Sequence, residues 1–291
     1  MIPASFDYHS PATLPEAIKL LTQYRDTAKV MSGGQSLLPL LKLRLGMAEH
    51  VVDIGRIPGL DYLREEGGYL KIGGRTREVA LERSELIKTK YPILLDTALV
   101  IADPLVRNRA TIGGNLAHGD PANDHPATML AVRAEVVAVG PKGERVIPID
   151  KFFVGIFTTA LEPDEILTEI RIPTAPAHSG GAYVKFERKV GDYATAAAAA
   201  QISLDASGNV AKAGLALTNA GPVPSRATAA EKLLIGKKPD EKAISEAARM
   251  ASDASSPSPD RRGAVDYKKE MGRVLATRAL TKAVQRAGGK S

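Results

Sequence analysis

Two segments of this chain repeat one pattern: Met31-Ser32-Gly33-Gly34-Gln35-Ser36 and Thr111-Ile112-Gly113-Gly114-Asn115. Each has a small or β-branched lead-in, a diglycine, then a side-chain amide. Adjacent glycines open backbone angles closed to other residues. They also remove the Cβ atoms that hold a ligand away from successive N–H groups, and such N–H groups form an anion-binding nest. Two nests, with Ser36, Thr111, Gln35 and Asn115 as further donors, have the parts to hold a pyrophosphate from two sides. The plainer alternative makes both of them tight turns, as expected of Gly67-Gly68 and Gly180-Gly181. Neither segment fits G-x-G-x-x-G, and there is no G-x-x-x-x-G-K-[ST] phosphate loop.

The pattern of apolar residues places these segments. Thr13 and Glu16 have capping-box spacing and Pro15 suits a first turn, so a helix is expected over 13–24, with Ile18, Leu20, Leu21 and Tyr24 as its apolar stripe. Strands are expected at 28–31, 51–54 and 69–72, and helices at 76–88 and 92–102, broken by Pro92. The run LLPLLKLRL after the first diglycine is apolar with two basic residues. A hairpin is expected over 135–149 through Pro141-Lys142-Gly143, then a strand over 164–172. Residues 174–181, TAPAHSGG, read as a domain boundary.

Beyond it, strands are expected at 183–188, 195–204 and 210–219, and helices at about 225–235, 240–252 and 265–287. Ala194–Ala200 is ambiguous, since alanine is the best helix former. Read as a strand, it leaves room for something flat or for a closely packed layer.

Composition narrows the chemistry. The chain has 291 residues, enough for one to three domains. No apolar stretch approaches the length of a membrane span, and the N-terminus lacks a basic start followed by an apolar run. Cysteine is absent, which excludes a disulfide, a cysteine nucleophile and any thiolate-held iron–sulfur cluster or zinc. Tryptophan is absent and aromatics are only 4%, which argues against base-stacking platforms and so against nucleic acid. The net charge is +6. Its excess crowds the last quarter: Lys237, Lys238, Arg261, Arg262, Lys268, Lys269, Arg273, Arg278, Lys282, Arg286 and Lys290. A solvated helical face is the expected reading, ahead of a nucleic-acid, anionic-surface or acidic-partner site.

The stretch from Thr111, TIGGNLAHGDPANDHPATML, is longer than a turn needs. His118, Asp120, Asp124 and His125 invite a metal reading, but Pro121 and Pro126 prevent a regular helical ligand face, and no metal is expected. The better reading is a loop that lays polar groups along a bound nucleotide, with Asp124 accepting from a ribose hydroxyl.

Four ordered motifs now carry a resemblance: SGGQSLLPLLKLRL (32–45), TIGGNLAHGDPANDHPA (111–127), FFVGIFTTALEPDEILTEIRIP (152–173) and YVKFERKVGDYATAAAAAQI (183–202). Over essentially its whole length the chain resembles the FAD-binding medium subunits of the molybdenum hydroxylase (xanthine dehydrogenase) family, closest to the carbon monoxide dehydrogenase branch. The resemblance implies an α+β fold. A two-lobed FAD-binding domain of the vanillyl-alcohol-oxidase (PCMH) type would occupy 1–176, with lobes about 1–55 and 56–176. A small C-terminal α+β domain, a three-stranded sheet plus helices, would occupy 177–287.

It also implies roles. Ser32, Gly33, Gly34, Gln35 and Ser36, with Thr111, Ile112, Gly113, Gly114 and Asn115, would hold the pyrophosphate of FAD. Lys29, His118 and Asp124 would add contacts. Leu161 and Leu167 would lie near the adenine or the ring system. Lys185 would approach the flavin and favour its anionic reduced form, and Asp192 and Tyr193 would lie beside the isoalloxazine. Histidine is common in relatives where this chain has Gln35, so FAD is expected to be non-covalent. No catalytic residue is expected beyond the flavin.

Without cysteine, the chain cannot hold iron–sulfur clusters, and its length leaves no room for a molybdopterin domain. The resemblance therefore implies a large molybdopterin subunit and a small [2Fe–2S] subunit as partners, in a dimer of heterotrimers. Electrons would pass through FAD to a quinone, NAD or dioxygen. The expected location is the cytoplasm, peripheral at the inner membrane face. Rival readings are a stand-alone FAD-dependent oxidase or dehydrogenase, a basic nucleic-acid-binding protein, and a structural subunit that has lost its flavin.

Overall fold

The structure is a computed structural model that describes residues 2–288; Lys290 of the basic group lies outside them. The first lobe runs β1 (Asp7–His9), α1 (Leu14–Tyr24), β2 (Ala28–Met31), α2 (Leu37–Leu43) and β3 (His50–Asp53). Its three strands are all parallel, in the order β1-β3-β2. Parallel neighbours need crossovers, and the two helices supply them. Thr13 caps α1 by accepting the Glu16 N–H at 3.3 Å. The leucine run after the first diglycine is α2, a helix the apolar pattern left unassigned.

The second lobe begins with β4 (Leu63–Glu66) and β5 (Tyr69–Gly73), joined at Gly67-Gly68, a turn with both φ positive. Six short helices follow: α3 (Glu78–Arg83), α4 (Glu85–Lys90), α5 (Pro92–Leu99), α6 (Pro104–Arg107), α7 (Ile112–His118) and α8 (Asp124–Ala131). The single helix expected over 76–88 is two helices, because Ser84 leaves the helical angles and accepts the Ile87 N–H to start a new turn. The strands β6 (Glu135–Gly140), β7 (Gly143–Pro148), the small β8 (Phe153–Gly155) and β9 (Thr158–Thr159), and β10 (Ile166–Pro173) complete the lobe. Its sheet is antiparallel, in the order β4-β5-β10-β6-β7.

The last part comprises β11 (Ser179–Glu187), β12 (Ala194–Leu204), β13 (Val210–Thr218), β14 (Ser225–Arg226), α9 (Thr228–Leu234), α10 (Glu241–Asp253) and α11 (Val265–Ala287). Three long antiparallel strands carry a further two-residue edge strand. The alanine run is the central strand β12, and it is packed on both faces. Ala197 and Ala199 join the core shared with the second lobe, whereas Ala196, Ala198 and Ala200 face Ala276, Ala279 and Ala283 of α11. The period-two alternation of a strand thus divides one alanine run between two layers.

Gly180-Gly181, expected to be a turn in a linker, lies within β11. A Cβ at Gly180 would sit 2.3 Å from the Ala283 carbonyl of α11, so the missing side chains let a helix close on the strand.

Part of the basic last quarter is tied down, which corrects the reading of a solvated face for Arg262, Lys268, Lys282 and Arg286, while Lys237, Lys238, Arg261 and Arg278 are exposed. Lys282 and Arg286 both reach Asp96 of α5, at 3.1 and 2.6 Å. Arg262 pairs with Asp192 at 2.6 Å, and buried Lys268 pairs with Asp260 at 2.9 Å. On another side, buried Glu231 of α9 takes Arg226 at 3.0 Å and Arg133 of the second lobe at 3.2 Å. The Asp96 and Arg133 ties and the shared alanine core hold the last part against the second lobe. Among the described residues no helix is long and apolar enough to cross a membrane.

Candidate functional site

β2 ends at Met31 and the chain bends through Ser32–Ser36 into α2. Gly34 has φ +75°, a left-handed angle that favours glycine. A Cβ on Gly33 would lie 2.1 Å from the Arg109 carbonyl oxygen, so this glycine lets the first lobe touch the second. The backbone N–H groups of Gly33, Gly34, Gln35 and Ser36 donate to no partner among the described residues. The Gln35 side chain folds back and donates to the Gly33 carbonyl at 3.3 Å.

The second diglycine is built differently. Thr111 is the N-cap of α7, its hydroxyl accepting the Gly114 N–H at 3.2 Å and donating to Ser32 Oγ at 3.0 Å. The Ile112 N–H donates to the Thr76 carbonyl at 3.0 Å, the Gly113 N–H to the Gly74 carbonyl at 3.1 Å and the Asn115 N–H to the Thr111 carbonyl at 2.9 Å. The expectation of two open nests is therefore corrected: one row of amides is free, and the other is consumed by the fold. Ile112 is fully buried and does not line the cleft.

The two segments meet at the floor of a cleft of about 920 Å³ between the lobes, near the upper end of the roughly 300–1,000 Å³ usual for ligand sites. Of the residues expected at a site, Lys29, Ser32 to Ser36, Thr111, Gly113 to Asn115, His118, Leu161 and Leu167 line it. Asn115 Oδ1 is buried without a hydrogen-bond partner. The His118 ring stacks obliquely on Phe157, with centroids 5.1 Å apart. Burial draws the His118 pKa below its ordinary value, although Asp120 opposes the shift, so the ring is neutral at neutral pH.

Sequence reasoning missed Phe157, Leu45 and Met47 on the rims. All three lie in or beside quoted motifs, but exposed apolar residues have no periodic signature.

The other expected residues are gathered elsewhere. Asp124 opens α8 and is buried, its Oδ1 accepting from Tyr183 at 2.6 Å and its Oδ2 from Lys185 at 3.1 Å. Both oxygens are committed within the protein, so the ribose contact expected of Asp124 is not available here. Burial raises the Asp124 pKa, with the Lys185 charge opposing. Lys185 Nζ also donates to the Val100 carbonyl at 3.0 Å and lies 3.1 Å from Glu187 Oε2. Its side chain is only 2% exposed. The structure does not bring Lys185 to the cleft, and two carboxylates balance its charge, so the expected approach to the flavin does not describe it.

Asp192 accepts from Arg262 at 2.6 Å and from the Tyr193 N–H at 2.8 Å. Tyr193 is 43% exposed. The next residue, Ala194, is tied to the segment that leaves α7: Asn219 donates its side-chain amide to the Ala194 carbonyl at 3.0 Å and its backbone N–H to the Pro121 carbonyl at 2.9 Å. The histidine and carboxylate cluster does not converge. His125 is fully buried with Glu78 at 2.7 Å, while His118 faces the cleft.

A row of free amides, a nearby lysine and an unpartnered buried side-chain oxygen in one cleft fit an anionic ligand that also carries polar groups. The family described as the FAD binding domain in molybdopterin dehydrogenase matches residues 4–175. The CO dehydrogenase flavoprotein C-terminal domain matches residues 181–283. The chain belongs to the FAD-binding medium subunits of the molybdenum hydroxylases.

It is 45% identical to the carbon monoxide dehydrogenase medium chain of Hydrogenophaga pseudoflava, over 97% of this chain and 98% of that one. A solved carbon monoxide dehydrogenase from Hydrogenophaga pseudoflava superposes with TM-score 0.96 at 46% identity, covering 98% of this chain and 99% of that one. Quinoline 2-oxidoreductase from Pseudomonas putida 86 superposes with TM-score 0.91 at 31% identity, covering 99% of both. The medium chain is thus an oxidoreductase subunit whose cofactor is FAD.

Proposed function

We propose that the cleft holds FAD extended, with its pyrophosphate on the free amides of Gly33, Gly34, Gln35 and Ser36. The observation that carries this reading is that row of unpaired N–H groups. Oriented amides supply fixed partial positive charge to an anion without a further reorganisation. Lys29 adds a full charge, and Thr111 and Asn115 face the same anion from the opposite wall. Leu161 and Leu167 pack against the coenzyme, and the ring system lies toward His118 and Tyr193. Neither a cysteine nor a histidine stands at position 35, which supports non-covalent binding. Bound FAD supplies the redox chemistry; the chain binds it, orients it and excludes water from it.

In this reading the protein is the electron-transfer subunit of a complex. A large molybdopterin subunit selects and oxidises the primary substrate, and a small subunit brings electrons through its [2Fe–2S] clusters. The complex is a dimer of heterotrimers in the cytoplasm, peripheral at the inner membrane face, and it delivers electrons to a quinone, NAD or dioxygen. The FAD domain spans 1–176 and the C-terminal domain 177–287.

The purified chain is expected to show flavin absorption between about 300 and 550 nm and to release a molecule with the mass of FAD on heating. A chain that stays colourless with excess FAD overturns the reading. Bleaching by a primary substrate without partner subunits favours the stand-alone oxidase instead.

A further inference from the structure

Tyr183, Lys185 and Glu187 occupy alternate positions of β11 and so share one face of the strand. That face meets the second lobe at Asp124 and the Val100 carbonyl, and Lys185 bridges both to Glu187. Glu187 stands at the irregularity where β11 and β12 shift register. Such a bulge re-aims a side chain and is frequent beside active sites.

The second oxygen of Glu187 accepts the Gly191 N–H at 3.3 Å, inside the loop that joins the two strands. Gly191 has φ +82°, and a Cβ there would lie 2.9 Å from the Ala102 carbonyl oxygen, so the loop is pressed onto the second lobe at this point. One residue further, Asp192 holds both Arg262 and the Tyr193 N–H. Val190, by contrast, is 92% exposed. The loop is thus a free tip with two anchors at its far end, and Tyr193 follows directly.

We infer that Glu187, braced by Lys185 and Asp124, is a positioning residue that fixes the 188–192 loop and so aims the Tyr193 ring at the flavin end of the cleft. Glu187 itself touches no cofactor. The inference rests on FAD lying in the cleft as proposed above, with its ring toward His118 and Tyr193.

The test uses the full chain with FAD, in wild type, Glu187→Ala, Glu187→Gln, Tyr193→Ala and the double variant Glu187→Ala/Tyr193→Ala. Two readouts are taken: hydrogen exchange of the 188–193 segment, and fluorescence per bound FAD. In Glu187→Ala, loss of a hydrogen bond to a charged acceptor is expected to speed exchange about tenfold. Flavin fluorescence is expected to rise in both Glu187→Ala and Tyr193→Ala, since a displaced or missing aromatic ring no longer quenches. Glu187→Gln keeps an acceptor for Gly191 and is expected to match wild type in both. The double variant is expected to fluoresce like Tyr193→Ala alone, since residues acting in one chain are not additive.

The inference falls if Glu187→Ala leaves either readout at the wild-type level, if Glu187→Gln behaves like Glu187→Ala, or if the double variant is additive. Should Glu187→Ala not fold, Glu187→Asp retains the charge but loses the reach to Gly191, and the same two increases are required of it. A wild-type chain that retains no FAD overturns the binding reading as well; retained FAD with any contrary result above overturns the role of Glu187 alone.

Discussion

Ser32–Ser36 and Thr111–Asn115 face each other across one cleft and differ in where their amides point. In the first, Gly33 clears the Arg109 carbonyl and Gly34 takes a left-handed angle, and four successive N–H groups stay open to the cleft. In the second, Thr111 starts a helix, and the amides of Ile112, Gly113, Gly114 and Asn115 are bonded to Thr76, Gly74 and Thr111. A diglycine is therefore a permission rather than a function. One pair uses that permission to expose backbone to a ligand. The other uses it to bring backbone against backbone, because a Cβ on Gly113 would lie 2.3 Å from the Gly74 carbonyl oxygen.

The largest expected effect separates these uses most sharply. Gly113→Ala forces a side chain into backbone that cannot yield and is expected to destabilise the fold by about 3 kcal/mol, read by denaturant melts. Gly34→Ala is expected to cost only about 1–2 kcal/mol for its left-handed angle, yet to weaken FAD binding at least about tenfold by disordering the free amides. If Gly113→Ala is the milder in melts, the contrast is wrong.

Next come the hydroxyls. Thr111→Ala removes an N-cap and a bond to Ser32, and a loss of about 1 kcal/mol of stability is expected. Ser36 makes no side-chain cap bond to α2. Ser36→Ala is therefore expected to stay within about 0.5 kcal/mol of wild type, with its effect confined to FAD retention in equilibrium dialysis.

The smallest effect is a pH dependence. The first segment has no titratable side chain between Ser32 and Ser36, whereas α7 ends at His118, whose pKa is held below its ordinary value by burial. The unfolded chain thus binds the proton first, so His118 contributes stability above about pH 6.5 that is lost as the pH falls toward its folded value. Melts at descending pH are expected to show this loss, and His118→Gln to flatten it. An unchanged acid limb in that variant would remove His118 from the account.

Much of the architecture was legible because it is local. Thr13 and Pro15 announced α1, and Pro141-Lys142-Gly143 marked the turn between β6 and β7. The strand assignment of Ala194–Ala200 ran against propensity and is what the fold adopts, since only small side chains let layers close on both faces of β12. Gly180-Gly181 was misread for the same reason: glycine in a strand and glycine in a turn look alike until the helix that needs the space is present. Ser84 hid a helix break that lies within a continuous apolar rhythm.

The candidate site divides along the same line. Residues that line the cleft through backbone and short side chains were found in sequence, because diglycines and their flanking polar groups are contiguous. Asp124, Lys185 and Asp192 were given ligand contacts that their neighbours already occupy. A charged residue's role depends on which opposite charge the fold brings to it, and Asp124 and Lys185 are 61 positions apart.

Residue order alone settled the type of many regular elements, though not of α2, α7 or α8, together with the lack of any thiolate chemistry and the positions of the two glycine pairs, because propensity, turn chemistry and elemental composition act over a few residues. Only the folded arrangement decided which pair keeps its amides free, which lysine is buried and which carbonyl each N–H meets. Those outcomes depend on contacts between distant strands and helices, and a missing Cβ specifies that something approaches without specifying what.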